Sequence, residues 1–213
     1  MPTAQPSLAS GPRPDSDASS AKIKGAAFLE ILRWYAGAHG PERLFLAASK
    51  LPYDLKRYVT NPTQSTLGLL PGSWYPAELI AIVFREMVAG LPPNEMKQLA
   101  ADAVKASVGN TLKGIYAPFI RLLVSPKMLA EHYQKIWRLY HNSGQFDVIV
   151  HGPTHQEFRL SGWPAHDPFL CLMNLHATRL ILEMTGQKDV RGELSACVNR
   201  GDAYCAYSQR WKA

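Results

Sequence analysis

Three cysteines, Cys171, Cys197 and Cys205, are the residues of this chain whose type and spacing could do chemistry. Cys197 and Cys205 stand symmetrically about Gly201. A hairpin centred there makes them cross-strand neighbours, with Cβ atoms about 4.5–5.5 Å apart. That separation suits a disulfide after small adjustment, or two thiolates on one metal ion. A reducing compartment favours the metal. Cys171, on the first turn of the preceding helix, joins them if that helix packs back over the hairpin. Three free thiols buried as small hydrophobes are the remaining reading. A closed zinc site needs a fourth donor. Glu193 leads, with His176 and Asp202 behind it. Four residues of regular strand span about 13 Å, so Glu193 reaches the ion of Cys197 only through a bend, which Gly192 can supply.

The seven histidines carry weaker signals. His151 and His155 flank a Gly152-Pro153 turn and read as exposed. His39 and His166 fall in loops beside Gly or Pro. His132 and His141 lie on one helix, and the helix dipole favours a charged His141 near its C-terminus. His176, five residues after Cys171, reads as a core histidine with its hydrogen bonds satisfied.

The elements that position these groups follow from punctuation and period. Residues 1–21 hold four Pro and five Ser with almost no large apolar side chain, and read as a disordered tail. A single domain, 22–213, follows. Ile23, Phe28, Leu29, Leu32 and Trp34-Tyr35 recur at helical spacing up to Gly37 and Gly40. Short helices follow from Pro41 and from Pro52 to Val59. Ser73 is placed to cap a helix through Trp74, Ala77, Ile80 and Phe84. Further helices run from about Asn94 to Ser107 and through Leu112 to Leu123. Ser125 and Pro126 open another, closed by Gly144, with Leu129, Tyr133, Ile136 and Tyr140 on one face. The period then changes to two. Phe146–Val150 and Phe158–Leu160 form one hairpin, Pro168–Met184 a helix, and Val190–Val198 with Tyr204–Trp211 a second hairpin. Helices followed by a β-β-α-β-β unit predict an α+β fold with an antiparallel sheet.

Of the 213 residues, 46% are hydrophobic and 19% charged, enough for one packed core. The net charge of +6 is spread singly along helix faces, with no stripe longer than Lys56-Arg57, which argues against nucleic acid. No apolar run reaches the ~18–20 residues of a membrane span, and a basic-then-apolar leader is lacking, so a cytoplasmic protein is expected. No hydrolase nucleophile motif, P-loop or dinucleotide fingerprint is present, so an enzyme has the least support.

The unit from Tyr140 to Trp211, with Trp137-Arg138 before it, resembles the 4-vinyl reductase domain. The Gly144 stop, the helix bearing Cys171 and the run Cys197-Val-Asn-Arg-Gly-Asp-Ala-Tyr-Cys205 carry the resemblance. That domain shares a fold with the Bet3-like subunits of the TRAPP tethering complex and with the heme–nitric oxide binding domains. Beyond the tail, the chain is still more similar to a myxobacterial paralogous family of about this size, through Lys24-Gly25, Trp74-Tyr75-Pro76 and the Cys-Gly-Cys pattern.

The resemblance implies an antiparallel sheet flanked by helices, an apolar ligand cavity and a homodimer. In the sensor branch it also implies structural zinc on three Cys, here Cys171, Cys197 and Cys205, and one carboxylate. The family places that carboxylate three residues before the second Cys, which here is Leu194, with Glu193 one step earlier. The Tyr-x-Ser-x-Arg signature of the heme domains is lacking, so heme is disfavoured. The expected function is a non-enzymatic regulatory module binding a small apolar or aromatic ligand. Trp74, Tyr116, Phe119 and Trp137 are the candidate lining residues, unless they serve as core alone. A ligand-free scaffold or tethering subunit with a protein partner is the alternative.

Overall fold

Capping residues set the helix ends around which the C-terminal half is built. The computed structural model describes residues 21–111 and 125–212, apart from the side chains of 109–111. The predicted helix through 112–123, with Tyr116 and Phe119, lies outside the described residues, as does the 1–20 part of the predicted tail. Ala21, assigned to that tail, is buried, and its carbonyl accepts the Ala77 N–H at 2.9 Å.

The N-terminal half comprises β1 (Lys22–Lys24), a 3-10 turn at Gly25–Ala27, α1 (Leu29–His39), α2 (Glu42–Lys50), α3 (Tyr53–Lys56), β2 (Trp74–Pro76), α4 (Ala77–Val88) and α5 (Pro93–Thr111). Two expectations change here. The helical start at Ile23 and the helix through Trp74 are instead the antiparallel pair β1–β2, with Ile23 opposite Tyr75. Proline disfavours helical geometry at the residue before it, so Tyr75 stays extended and α4 begins only after Pro76. The pairing continues into a close backbone approach: Gly25 N–H bonds to Ser73 O and Ala26 N–H to Pro71 O, each at 2.9 Å. A Cβ at Gly25 would lie 2.1 Å from Leu70 O, so only glycine fits. Long-range pairing here overrides the local helical period.

The second half comprises α6 (Pro126–Tyr140), β3 (Gln145–Gly152), β4 (His155–Ser161), α7 (Pro168–Met184), β5 (Lys188–Ala196) and β6 (Cys205–Lys212). Ser125 caps α6 through its hydroxyl, which accepts the Met128 N–H at 3.2 Å, and Pro126 occupies the first turn. Asp167 caps α7 in the same way, accepting the Phe169 N–H at 2.9 Å. The four strands form one antiparallel sheet in the order β3-β4-β6-β5. The chain is therefore α+β, helical first and sheet-rich second, as the sequence predicts. Helix α6 presents two faces. Leu129, Tyr133 and Trp137 are buried, with Tyr133 and Trp137 packed edge-on against Phe146 of the sheet at centroid distances of 4.8 and 5.0 Å. Ile136 and Tyr140 turn to a cavity between helices.

Candidate metal centre and ligand cavity

The three thiols meet where α7 crosses the open end of the last two strands. The Asp167 cap starts α7 sharply, which puts Cys171 in its first turn, with Cys171 N–H on Asp167 O at 2.9 Å. On β6, Cys205 is the first residue, opposite Leu160 of β4. The β5–β6 register slips between Leu194 and Ala196, so Ala196 faces Ala206 and Cys197 leaves the strand beside Cys205. The connection closes through the left-handed Gly201, at φ 92°, and through Asp202, whose carboxylate accepts the Cys197 N–H at 2.7 Å.

The sulfurs form a near-equilateral triangle. Sγ of Cys171 lies 3.5 Å from that of Cys205 and 3.8 Å from that of Cys197, and Cys197 and Cys205 are 3.9 Å apart. These are not bonded pairs, since a disulfide needs about 2.05 Å. Thiolates about 2.3 Å from one tetrahedral ion stand about 3.8 Å from one another, which matches the triangle. His166, the residue before the α7 cap, brings Nδ1 to 3.3 Å from Cys205 Sγ. The ligand atoms of His166, Cys171 and Cys205 all lie within 4.8 Å of one another. All three cysteines are buried.

Donors surround the group. Asn199 Nδ2 lies 3.7 Å from both Cys171 and Cys197 Sγ, and the Val198 N–H points at Cys205 Sγ from 3.4 Å. Such donors offset the negative charge of a thiolate site. The hydrogen bond from the Cys171 thiol lowers the Cys205 pKa against the burial that opposes it, and His166 and the Val198 N–H add to this. The same hydrogen bond, with burial, pushes the Cys171 thiol up.

His166 is the imidazole beside the thiols, and the other candidates for a fourth donor lie elsewhere. Glu193 is exposed on β5 opposite Ser208 and does not reach the thiols. Asp202 is occupied as a turn cap, and His176 sits in a groove between α5 and α7 with Asp102 and Lys105. His166 was passed over because loop position carries no period. Its one signal was adjacency to the Asp-Pro pair that caps the helix bearing Cys171.

Beside this centre lie two connected apolar lobes of about 200 and 140 Å³. They share Ala27, Ser107, Val108, His141, Asn174 and Ala177. Trp137 lines the first lobe. Trp74 does not; it is part-exposed on β2, beneath the Lys24 ammonium. A larger hollow of about 560 Å³ is bordered by charged side chains, among them Glu42, Arg43, Glu95 and Asp102, and lacks this apolar wall.

His141 is the imidazole at the lobes. Its ring stacks flat on Trp137, with centroids 3.5 Å apart and planes 4° from parallel. Nδ1 lies 3.2 Å from the Trp137 carbonyl, so it carries the proton and leaves Nε2 as an acceptor. Burial drives the His141 pKa down to about 3, opposed by that backbone hydrogen bond. The ring is neutral, contrary to the helix-dipole expectation, because desolvation outweighs the dipole here.

No protein-family model and no curated protein matches the chain. Solved structures do. An Fe(II) unliganded H-NOX protein from K. algicida is 12% identical over 90% of this chain and 97% of its own, with a TM-score of 0.63. An H-NOX protein from S. oneidensis in the Fe(II)NO ligation state is 13% identical over 90% of this chain and 100% of its own, with a TM-score of 0.59. An H-NOX protein described for the function of heme distortion is 9% identical over 90% and 96%, with a TM-score of 0.57. The chain therefore shares the H-NOX fold. No helix among the described residues is long and apolar enough to cross a membrane.

Proposed function

We propose that this chain is a regulatory module that binds a small apolar molecule between its helices and is stapled by zinc at Cys171, Cys197, Cys205 and His166. The observation that carries the reading is the pair of apolar lobes sharing a few polar side chains, Ser107, His141 and Asn174. Apolar walls with a few convergent polar groups are the usual form of a small-molecule site. A cavity of about 150 Å³ accepts benzene, so lobes of this size suit a molecule of one or two rings. Three thiolates and an imidazole are donors that select zinc. The likeness to the 4-vinyl reductase domain and the myxobacterial family supports the same reading, as does the H-NOX fold.

Heme fits these residues poorly. His141, the one imidazole on the described walls, has its ring face covered by Trp137. Among the described residues, no Lys or Arg lines either lobe to meet the two carboxylates of the porphyrin. Protein grown with added heme is expected to show no Soret band.

Native mass spectrometry with elemental analysis tests the whole reading. One zinc per chain and a retained or exchangeable small molecule support it. A metal-free protein carrying no ligand and holding a stoichiometric protein partner would instead support the tethering alternative.

A further inference from the structure

The two edges of the sheet are built differently. Strand β5 guards its edge: it carries Lys188, Asp189, Arg191 and Glu193, and its register slips twice against β6. Charges and irregularities of that kind keep an edge from pairing with another chain. Strand β3 is protected only at its ends. Gln134 of α6 accepts the Phe146 N–H at 2.7 Å, and the register with β4 shifts between Val150 and Gly152. Between them run Val148-Ile149-Val150, three β-branched residues without a charge, and Val150 is 54% exposed. Among the described residues, no strand pairs with β3 from its outer side. Alternate residues of a strand turn N–H and C=O to the same side, so Val148 and Val150 follow Phe146 and present both groups to that open edge.

The segment is also its own complement. Asp147 and His151 stand two residues to either side of Ile149, on the sheet face away from Phe146. His151 is held on that face by stacking on His155, with ring centroids 4.6 Å apart. Asp147 accepts from Gln145 Nε2 at 3.2 Å, while Arg159, opposite it on β4, turns instead to Glu157 and to the Tyr204 ring. We propose that β3 is the interface between two copies of this chain, paired antiparallel about a two-fold axis at Ile149. In that register Val148 exchanges both backbone hydrogen bonds with the partner's Val150, and Val150 with the partner's Val148. Ile149 packs on the partner's Ile149. Each Asp147 carboxylate faces the partner's His151, an imidazole with an N–H to give. The neighbouring registers that keep the bonding groups matched oppose Asp147 to Ile149 or to Pro153, and lose both of these contacts. The contact is isologous, as a two-fold interface must be, and makes one continuous sheet from two four-stranded ones. It depends on neither the metal nor the cavity.

Sedimentation equilibrium on the full chain tests the proposal, with Ile149→Lys, Asp147→His, His151→Asp and the double swap Asp147→His/His151→Asp. Wild type is expected in reversible monomer–dimer equilibrium. Ile149→Lys sets two ammonium groups directly opposite at the axis and should weaken the dimer at least about tenfold. Within its own sheet position 149 faces Glu157, so the monomer tolerates the lysine. Each single swap spoils both Asp–His contacts and should weaken the dimer about fivefold or more. The double swap remakes them with the roles reversed and should return to within about twofold of wild type, a rescue that a merely structural role would not give. Hydrogen exchange at the Val148 and Val150 amides should be slower in wild type than in Ile149→Lys. A wild type that stays monomeric up to about 1 mM overturns the proposal. So does a dimer that Ile149→Lys leaves unweakened, since the copies then meet elsewhere. A double swap no tighter than the single ones overturns the register and the proposal with it. If Ile149→Lys fails to fold, the swap series decides alone.

Discussion

Replacing His166 tests the proposed zinc site most sharply, because His166 and Glu193 are rival candidates for its fourth donor and lie at different distances from the thiols. His166 Nδ1 lies 3.3 Å from Cys205 Sγ, whereas Glu193 is exposed on β5. Structural zinc sites contribute roughly 10–16 kcal/mol, so one of four donors carries about 3 kcal/mol. At about 1.4 kcal/mol per factor of ten, His166→Ala should weaken zinc about 100-fold, while Glu193→Ala changes it by less than about threefold. Competition against a chromophoric chelator at neutral pH reads both values on one scale. The metal-loaded melting temperature should fall with His166→Ala alone, since zinc stabilises the native state in proportion to its affinity. Equal affinities for His166→Ala and wild type, or a comparable loss with Glu193→Ala, would refute the assignment of the fourth donor.

Three other perturbations have definite outcomes. Below its unfolded value near 6.5 and down to about 3, His141 is neutral in the fold and protonated when unfolded. Its contribution is therefore complete above that unfolded value and is lost as pH falls through the window. Wild type should lose up to about 1.4 kcal/mol per pH unit more than His141→Phe in denaturant titrations there; parallel pH profiles would count against it. Gly192→Ala places a Cβ 2.5 Å from Gln209 Oε1, and Gln209 is fully buried, with Nε2 held by Leu175 O at 3.0 Å and Thr178 Oγ1 at 2.9 Å. The amide cannot retreat without losing those bonds, so urea denaturation should show about 2–4 kcal/mol of destabilisation. Ala177→Leu fills space common to both lobes and should weaken the two-ring probe indole at least about tenfold with zinc binding unchanged. Unaltered indole affinity would mean the molecule sits elsewhere.

Local chemistry was legible in the sequence wherever it acts alone. Ser125-Pro126 and Asp167-Pro168 mark helix starts because cap and fixed φ operate within one turn. Alternation from Phe146 and symmetry about Gly201 disclose the strands and bring Cys197 to Cys205. What escaped depends on partners distant in the chain. Pro76 keeps Tyr75 out of the helix, but the pairing of Trp74-Tyr75-Pro76 with Lys22–Lys24 leaves no periodic trace in either segment. His141 sits in a position where a helix dipole favours charge, and only the packing of Trp137 and Trp163 around it shows why it stays neutral. The approach of His166 to Cys205 escaped for the same reason: a loop histidine has no face until the neighbouring helix is placed.

The strand order β3-β4-β6-β5 also constrains the sequence of folding events. A nascent chain can zip β3 to β4 at once, since two residues separate them. Strand β5, made next, has no partner until β6 emerges and slots between it and β4. Cys205, at the leading end of β6, arrives together with that closure. The three thiols are thus kept apart in every partly made sheet and meet only at the final step of assembly.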